Sequence, residues 1–465
     1  MQRRLRGVLT GWLVVAGVSV AAAQPTDTLK TPTMGAVTTY RPAGAVQQVV
    51  LFVSGDGGWN QGVVDMATRL RDLGALVVGI DIRTFRKNLE SASACAYPAA
   101  ALEELSRAIQ LQYALPKYLR PVLVGYSSGA TLVYAAIVAA PPETFAGAIS
   151  LGFCPDIELQ RPLCQMRGLH SRKRAKGTGA DLSPFAASTV PWMVLQGTVD
   201  QVCDPAATRA FVSQTGAARV FELPQVGHGF GVPARWAPQF VQAYRAIAAS
   251  RESAPAVSTT DPPVVQDLSL VEVPATASAE RDAFAVLLSG DGGWADIDKQ
   301  VARGLSAAGV PVVGWSSLDY YWTPRSPGGA AADLARLIDH YTATWKKSQV
   351  LIVGYSFGAD VAPYLVNGLP DRLRARIARV ALLGPSPTAA FAFHVSSWLG
   401  GGGDRRYPTA PEIERLSMPV ACVAGEDEPD SVCHAVRNPR VRGVAIGRGH
   451  HFSGEYDRIV STLVP

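Results

Sequence analysis

Three short motifs occur twice in this chain, in the same order. Ser54-Gly55-Asp56-Gly57-Gly58-Trp59 returns as Ser289-Gly290-Asp291-Gly292-Gly293-Trp294, and Gly125-Tyr126-Ser127-Ser128-Gly129-Ala130 returns as Gly354-Tyr355-Ser356-Phe357-Gly358-Ala359. Gly227-His228-Gly229-Phe230 returns as Gly449-His450-His451-Phe452. A single G-x-S-x-G is weak evidence, but a series of three that recurs in order marks a duplicated module. Whatever the chain folds into, it folds into it twice.

The length of 465 residues fits two such modules of roughly 200 residues each. The first is expected over residues 35–250 and the second over residues 266–465, joined by a Ser-, Thr-, Ala- and Pro-rich linker at 251–265. Ahead of them, Arg3, Arg4 and Arg6 precede an apolar run from Val8 to Val20 and then Ala21-Ala22-Ala23. That order of charge, apolar run and small residues reads as a cleavable secretory signal over residues 1–23, too short for a comfortable membrane span. Export predicts oxidised cysteines. Of the six cysteines, Cys422 and Cys433 bracket an acidic loop and are expected to pair, while Cys95, Cys154, Cys164 and Cys203 should pair within the first copy.

Apolar runs such as Val49-Val50-Leu51-Phe52-Val53, Leu76-Val77-Val78 and Leu351-Ile352-Val353 alternate with helical patterns. Such alternation predicts an α/β fold, in each module a mostly parallel sheet flanked by helices. Right-handed crossovers would bring the carboxyl ends of the strands, and any site, to one edge. Residues from Cys154 to Ser183 form an extra insertion in the first module, whereas the second is expected to have little chain left over for a lid.

A serine hydroxyl is a weak nucleophile at neutral pH unless a base accepts its proton and an acid orients that base. Alpha/beta-hydrolases supply these groups in the chain order serine, acid, histidine, with the serine on a sharp strand-to-helix turn. The first copy offers Ser127, Asp200 and His228 in that order. The second offers Ser356 and His450, with its acid ambiguous. Counting from the glycine at the strand end selects Glu428, as Gly197 selects Asp200, whereas matching Asp200-Gln201-Val202-Cys203 to Asp430-Ser431-Val432-Cys433 selects Asp430. The second match is slightly preferred, and Asp427 ranks third. The carboxylates of Glu426, Asp427, Glu428 and Asp430 that the triad does not use would suit a cationic group on a substrate.

The Gly-rich turn is placed to supply one backbone donor to an oxyanion, from the amide of Asp56 or Asp291, and the residue after each serine, Ser128 or Phe357, would supply the other. Trp59 and Trp294 are expected either to wall a pocket or to fill the core. No metal or organic cofactor is implied. The net charge of +5 is mild and predicts no nucleic-acid partner; the basic run at Arg172-Lys173-Arg174 is either a solvated loop or a contact for anionic headgroups.

The doubled Ser-Gly-Asp-Gly-Gly-Trp, Gly-Tyr-Ser-x-Gly-Ala and Gly-His-x-Phe series resembles the VirJ/AcvB family of bacterial virulence proteins. That resemblance implies two tandem alpha/beta-hydrolase domains and a periplasmic esterase of aminoacyl-phosphatidylglycerol, acting at the membrane surface and linked to type IV secretion. By position it assigns catalysis to Ser356, the acid of the Cys422–Cys433 loop and His450. Two rival readings are a periplasmic scaffold with idle hydrolase machinery and an esterase of small soluble esters similar to dienelactone hydrolases.

Overall fold

The computed structural model describes residues 26–92, 95–166, 168–174, 178–252, 265–277, 281–393, 407–428 and 431–464. The secretory signal expected at 1–23, most of the linker, and Asp430 lie outside the described residues.

The first half builds an eight-stranded sheet. Its strands are β1 (Thr26–Thr31), β2 (Gly35–Tyr40), β3 (Gln48–Val53), β4 (Ala75–Ile80), β5 (Val122–Tyr126) and β6 (Gly147–Leu151), joined by Trp192–Gly197 and Ala218–Leu223, which become β10 and β11. Between them an excursion carries the short strands β7 (Asp156–Ile157), β8 (Ser171–Lys173) and β9 (Ala180–Leu182). The sheet order is β1-β2-β4-β3-β5-β6-β10-β11, antiparallel only at the β1-β2 and β2-β4 pairings. Strands β3 and β4 are buried at every position, as residues of a parallel sheet covered on both faces must be.

The second half repeats the plan with β12 (Leu270–Val273), β13 (Ala283–Leu288), β14 (Val312–Trp315), β15 (Gln349–Tyr355) and β16 (Ile377–Leu383), then a short pair β17 (Thr388–Ala389) and β18 (Tyr407–Pro408), then β19 (Val420–Ala424) and β20 (Val441–Ala445). Its order, β12-β14-β13-β15-β16-β19-β20, is that of the first sheet without β1. The fold is therefore two tandem alpha/beta-hydrolase domains. Apolar cores on both faces of each sheet hold them together, and Tyr118 of the first domain is built into the core of the second.

Two expectations need correction. The first sheet starts at Thr26, not near residue 35, because β1 folds back on β2 through a turn at Gly35, whose φ of 69° suits glycine. The second domain is not short of chain above its sheet: residues 384–419 between β16 and β19 match residues 152–191 between β6 and β10.

All six cysteines pair. Cys422–Cys433 forms as expected, and the other four join as Cys95–Cys164 and Cys154–Cys203. Among the described residues, no helix is long and apolar enough to cross a membrane.

Candidate active sites

Each G-x-S-x-G spans a strand end and a helix start. Ser127 sits between β5 and the helix Ser128–Ala139 at φ 56° and ψ −124°, and Ser356 between β15 and the helix Phe357–Asn367 at φ 51° and ψ −118°. A serine in that region costs on the order of 1–3 kcal/mol, so the neighbours must enforce it. They do so by having no side chains. A Cβ on Gly125 would stand 2.2 Å from the carbonyl oxygen of Gly129, and one on Gly129 would stand 2.4 Å from those of Val53 and Ser54. Gly354 and Gly358 are confined in the same way at 2.4 and 2.2 Å. The result is a hydroxyl lifted above the sheet edge.

In the first domain, Ser127 Oγ lies 2.9 Å from His228 Nε2, and His228 Nδ1 lies 2.9 Å from Asp200 Oδ2. Asp200 follows β10, and its other oxygen accepts the amides of Val202 and Cys203 at 2.8 and 2.9 Å, which fixes the carboxylate. Its side chain is fully buried and that of His228 is 17% exposed, so water reaches this acid–histidine pair from one side only.

In the second domain Ser356 Oγ lies 2.8 Å from His450 Nε2. Among the described residues the carboxylate that faces His450 is Glu428, with Oε1 3.5 Å from His450 Nδ1 and Oε2 accepting the amide of Gly425 at 3.0 Å, while Asp430 lies outside them. The His450 side chain is 41% exposed, so this site is the more open. Asp427, ranked third, does other work: it accepts the amide of Gly449 and faces Arg448 at 3.5 Å, thereby holding the loop that carries His450. The Gly449 hydrogen bond leads the causes that hold the Asp427 carboxyl below its ordinary range. An open cleft of about 330 Å³ adjoins the site, lined by Gly384, Ser386, Asp427, Glu428, Ser431 and His450.

The amides proposed as oxyanion donors lie on the two segments that adjoin each serine. Ser128 and Phe357 are the first residues of their helices, so their amides have no intrahelical acceptor. The turns Gly55–Gly58 and Gly290–Gly293 close through the amides of Gly58 and Gly293, at 2.9 and 3.1 Å, which leaves the amides of Asp56 and Asp291 outside the turn bond. A Cβ on Gly55 would lie 2.9 Å from Ser127 Cβ, and one on Gly290 would lie 3.5 Å from Ser356 Cβ. Each Gly-rich loop therefore lies directly against its serine.

Several supporting residues had no reading in the sequence. Tyr126 and Tyr355, the second residue of each G-Y-S, donate to the backbone carbonyls of His228 and His450 at 2.9 and 3.3 Å. Gly152 and Gly384, both at φ 62°, end β6 and β16 directly under the imidazoles. The recurrence of Leu-Gly at these two strand ends was the available signal. Trp59 and Trp294 take the core role: Gly79 and Gly314 are bare because the indoles lie on them, and a Cβ there would come within 2.1 and 2.3 Å of the rings. Asp200, Cys203 and His228 have metal-like proximity among the described residues, but the Cys203 sulfur is spent in its bridge and the other two form the acid–histidine pair.

Fold and site together define a tandem serine hydrolase of the alpha/beta type. The family model described as bacterial virulence protein (VirJ) matches residues 47–149 and 282–465, and the chain belongs to that family. No curated protein matches it. Among solved structures, it is similar to an esterase domain from Rhodothermus marinus, at 15% identity and a TM-score of 0.34 over 48% of this chain and 98% of that one. It is likewise similar to a lidless alpha/beta serine hydrolase from Xanthomonas campestris, at 20% identity and 0.34 over 48% and 94%. A dienelactone hydrolase from Anabaena variabilis aligns at 16% identity and 0.33, over 49% and 98%.

Proposed function

We propose that the chain is a periplasmic esterase that hydrolyses aminoacyl-phosphatidylglycerol to the free amino acid and phosphatidylglycerol. The observation that carries the ester chemistry is the 2.8 Å contact of Ser356 with His450, repeated at 2.9 Å between Ser127 and His228. The substrate class is carried over from the family resemblance, and the open cleft beside His450 leaves room for an acyl group. Three disulfides agree with an oxidising compartment. Aminoacylated phospholipid at a membrane surface and type IV secretion components are the partners this reading names.

In the reaction, Ser356 Oγ attacks the ester carbonyl as His450 Nε2 takes its proton, and Glu428 stabilises the imidazolium. The amides of Phe357 and Asp291 receive the oxyanion. Collapse of the intermediate breaks the bond to the glycerol oxygen, which leaves with the proton from His450. The aminoacyl-serine is then cleaved by water through the same steps, and the serine is restored. Ser127, His228, Asp200, Ser128 and Asp56 are equipped for the same sequence in the first domain.

The test is to incubate the purified chain, and its Ser127→Ala, Ser356→Ala and doubly substituted variants, with lysyl- and alanyl-phosphatidylglycerol and with small soluble esters. Chromatography should show the aminoacyl lipid converted to phosphatidylglycerol, with loss of conversion in the double variant. Turnover confined to soluble esters overturns the lipid assignment, and turnover by the double variant overturns the serine mechanism.

A further inference from the structure

The two Gly-rich loops differ in who neutralises their aspartate. In the first domain Asp56 pairs at 3.2 Å with Arg86, from the helix Ile82–Ala92 of the same domain. The second domain keeps the local frame: Ser54 Oγ accepts the amide of Ile82 at 3.1 Å, and Ser289 Oγ accepts that of Ser317 at 2.9 Å. Counting on from these matched amides puts Tyr321 where Arg86 stands. The helix there shrinks to Ser317–Tyr320, and Tyr321 is buried against Tyr320, Phe357 and Phe391 with ring centroids 4.8, 5.1 and 5.9 Å away. The second domain has filled the arginine's place with an aromatic that packs beside its own nucleophile.

Asp291 nevertheless meets a guanidinium, and it comes from the other domain. Arg107, on the first domain's helix Pro98–Gln112, places Nη1 2.8 Å from Asp291 Oδ2. Its side chain is only 8% exposed and is held from behind by Glu103 at 2.5 Å, one turn earlier on the same helix. Burial opposes the charge on Arg107, but Glu103 and Asp291 outweigh it and raise its pKa. The chain that follows this helix is fastened to the second domain: Trp322 Nε1 donates to the carbonyl of Leu115 at 2.7 Å, and the Tyr118 and Trp322 rings stand 5.3 Å apart.

We propose that the first domain completes the second active site, with Arg107 acting as a positioning residue for the oxyanion loop at Asp291. The proposal rests on the serine-hydrolase reading of that site. A carboxylate beside an oxyanion hole opposes the negative charge that develops there, and a loop that carries a donor must be held still for the donor to count. Arg107 does both jobs through one ion pair. The two domains are then not independent catalysts on a string.

The experiment uses the full chain and a fluorophosphonate that phosphonylates active serines, with the labelling rates of Ser127 and Ser356 read separately by peptide mass spectrometry. Arg107→Gln should slow labelling of Ser356 by about tenfold or more while Ser127 keeps its rate, since misplacement of catalytic geometry from a distance has effects of this size. Arg107→Lys should restore part of the loss. Arg86→Gln should slow Ser127 and spare Ser356. In an Asp291→Asn background, where no charge needs neutralising, Arg107→Lys should leave the Ser356 rate unchanged, the non-additivity of a coupled pair. An unchanged Ser356 rate in Arg107→Gln, with only a lower melting temperature, overturns the proposal and makes the arginine interface packing alone. Should Arg107→Gln fail to fold, equal slowing by Arg107→Lys with and without Asp291→Asn overturns it as well. Failure of the probe to label either serine in the unsubstituted chain refutes the hydrolase reading itself and this inference with it.

Discussion

Glu428 stands 3.5 Å from His450 where, in the other domain, Asp200 stands 2.9 Å from His228. The difference has a local cause. Asp200 is pinned by two amides and by Gln196 Nε2 at 3.2 Å, whereas Glu428 is held by the amide of Gly425 on a longer side chain.

The two acids should therefore respond differently to neutralisation. In a Ser356→Ala background, Asp200→Asn should lower kcat by about 10⁴, the scale known for loss of a triad aspartate. In a Ser127→Ala background, Glu428→Gln should cost less than that and still more than Asp430→Asn. A larger loss in Asp430→Asn would transfer the acid role to that residue.

The glycines under the imidazoles offer a sharper test. A Cβ at Gly152 would meet His228 Cε1 at 3.2 Å, and one at Gly384 would meet His450 Cε1 at 2.8 Å, both at a φ that penalises alanine. Gly384→Ala should cost about 10²-fold in kcat by displacing the base, with Gly152→Ala milder, while far-ultraviolet circular dichroism stays native. Equal kcat in variant and parent would mean the loop yields without moving the imidazole.

Asp427 belongs to the histidine loop and not to substrate selection. Asp427→Asn should lower kcat for lysyl ester and for its N-acetylated analogue by the same factor, because it loosens Gly449. If the ratio of the two kcat/KM values falls instead, the carboxylate does read the ammonium group of the acyl chain, as the acidic composition of the loop first suggests.

Asp298 is buried in the first turn of the helix Asp296–Ala307, and although it accepts the amide of Ala295 at 3.0 Å, burial pushes its carboxyl up from 3.8 to about 8. A carboxyl raised in the folded state stabilises the fold fully below its unfolded value, and the contribution is lost as pH rises through the folded one. Stability should thus decline across about pH 4 to 8 from this group. Urea unfolding of Asp298→Asn should show a flatter pH profile and, at pH 8, a gain over the parent of about 1 kcal/mol or more, one pKa unit being worth about 1.4. Parallel profiles would reject the assignment.

What the sequence discloses follows the range of the interactions involved. The elbows, the histidines and the alternation of strands and helices depend on neighbours a few residues away, and so they are spelled out in contiguous motifs around Ser127, Ser356, His228 and His450. The acid of the second site is less legible, because two counting frames, one from the strand end and one from the cysteine, diverge inside a single loop. Trp59 reads equally as pocket or core until Gly79, on another strand, is seen beneath it. The pairing of Arg107 with Asp291 crosses 184 positions and joins a motif residue to one outside every motif, so nothing in the repeat announces it.

The first domain's two bridges also bear on how the chain reaches its fold. Cys154 lies between Cys95 and Cys164, and its own partner, Cys203, lies beyond both, so the two closed loops interlock along the chain. A polypeptide that threads out of a membrane from its amino end and oxidises each cysteine with the next to emerge would join Cys95 to Cys154 and Cys164 to Cys203, both wrong. If this chain is exported as proposed, native pairing would have to wait until Cys164 has emerged, and the clamp on the Asp200 loop until Cys203 has. By then β5, the elbow and β10 would be outside, so the Asp200 carboxylate would be clamped only after the strands that carry it and Ser127 have emerged.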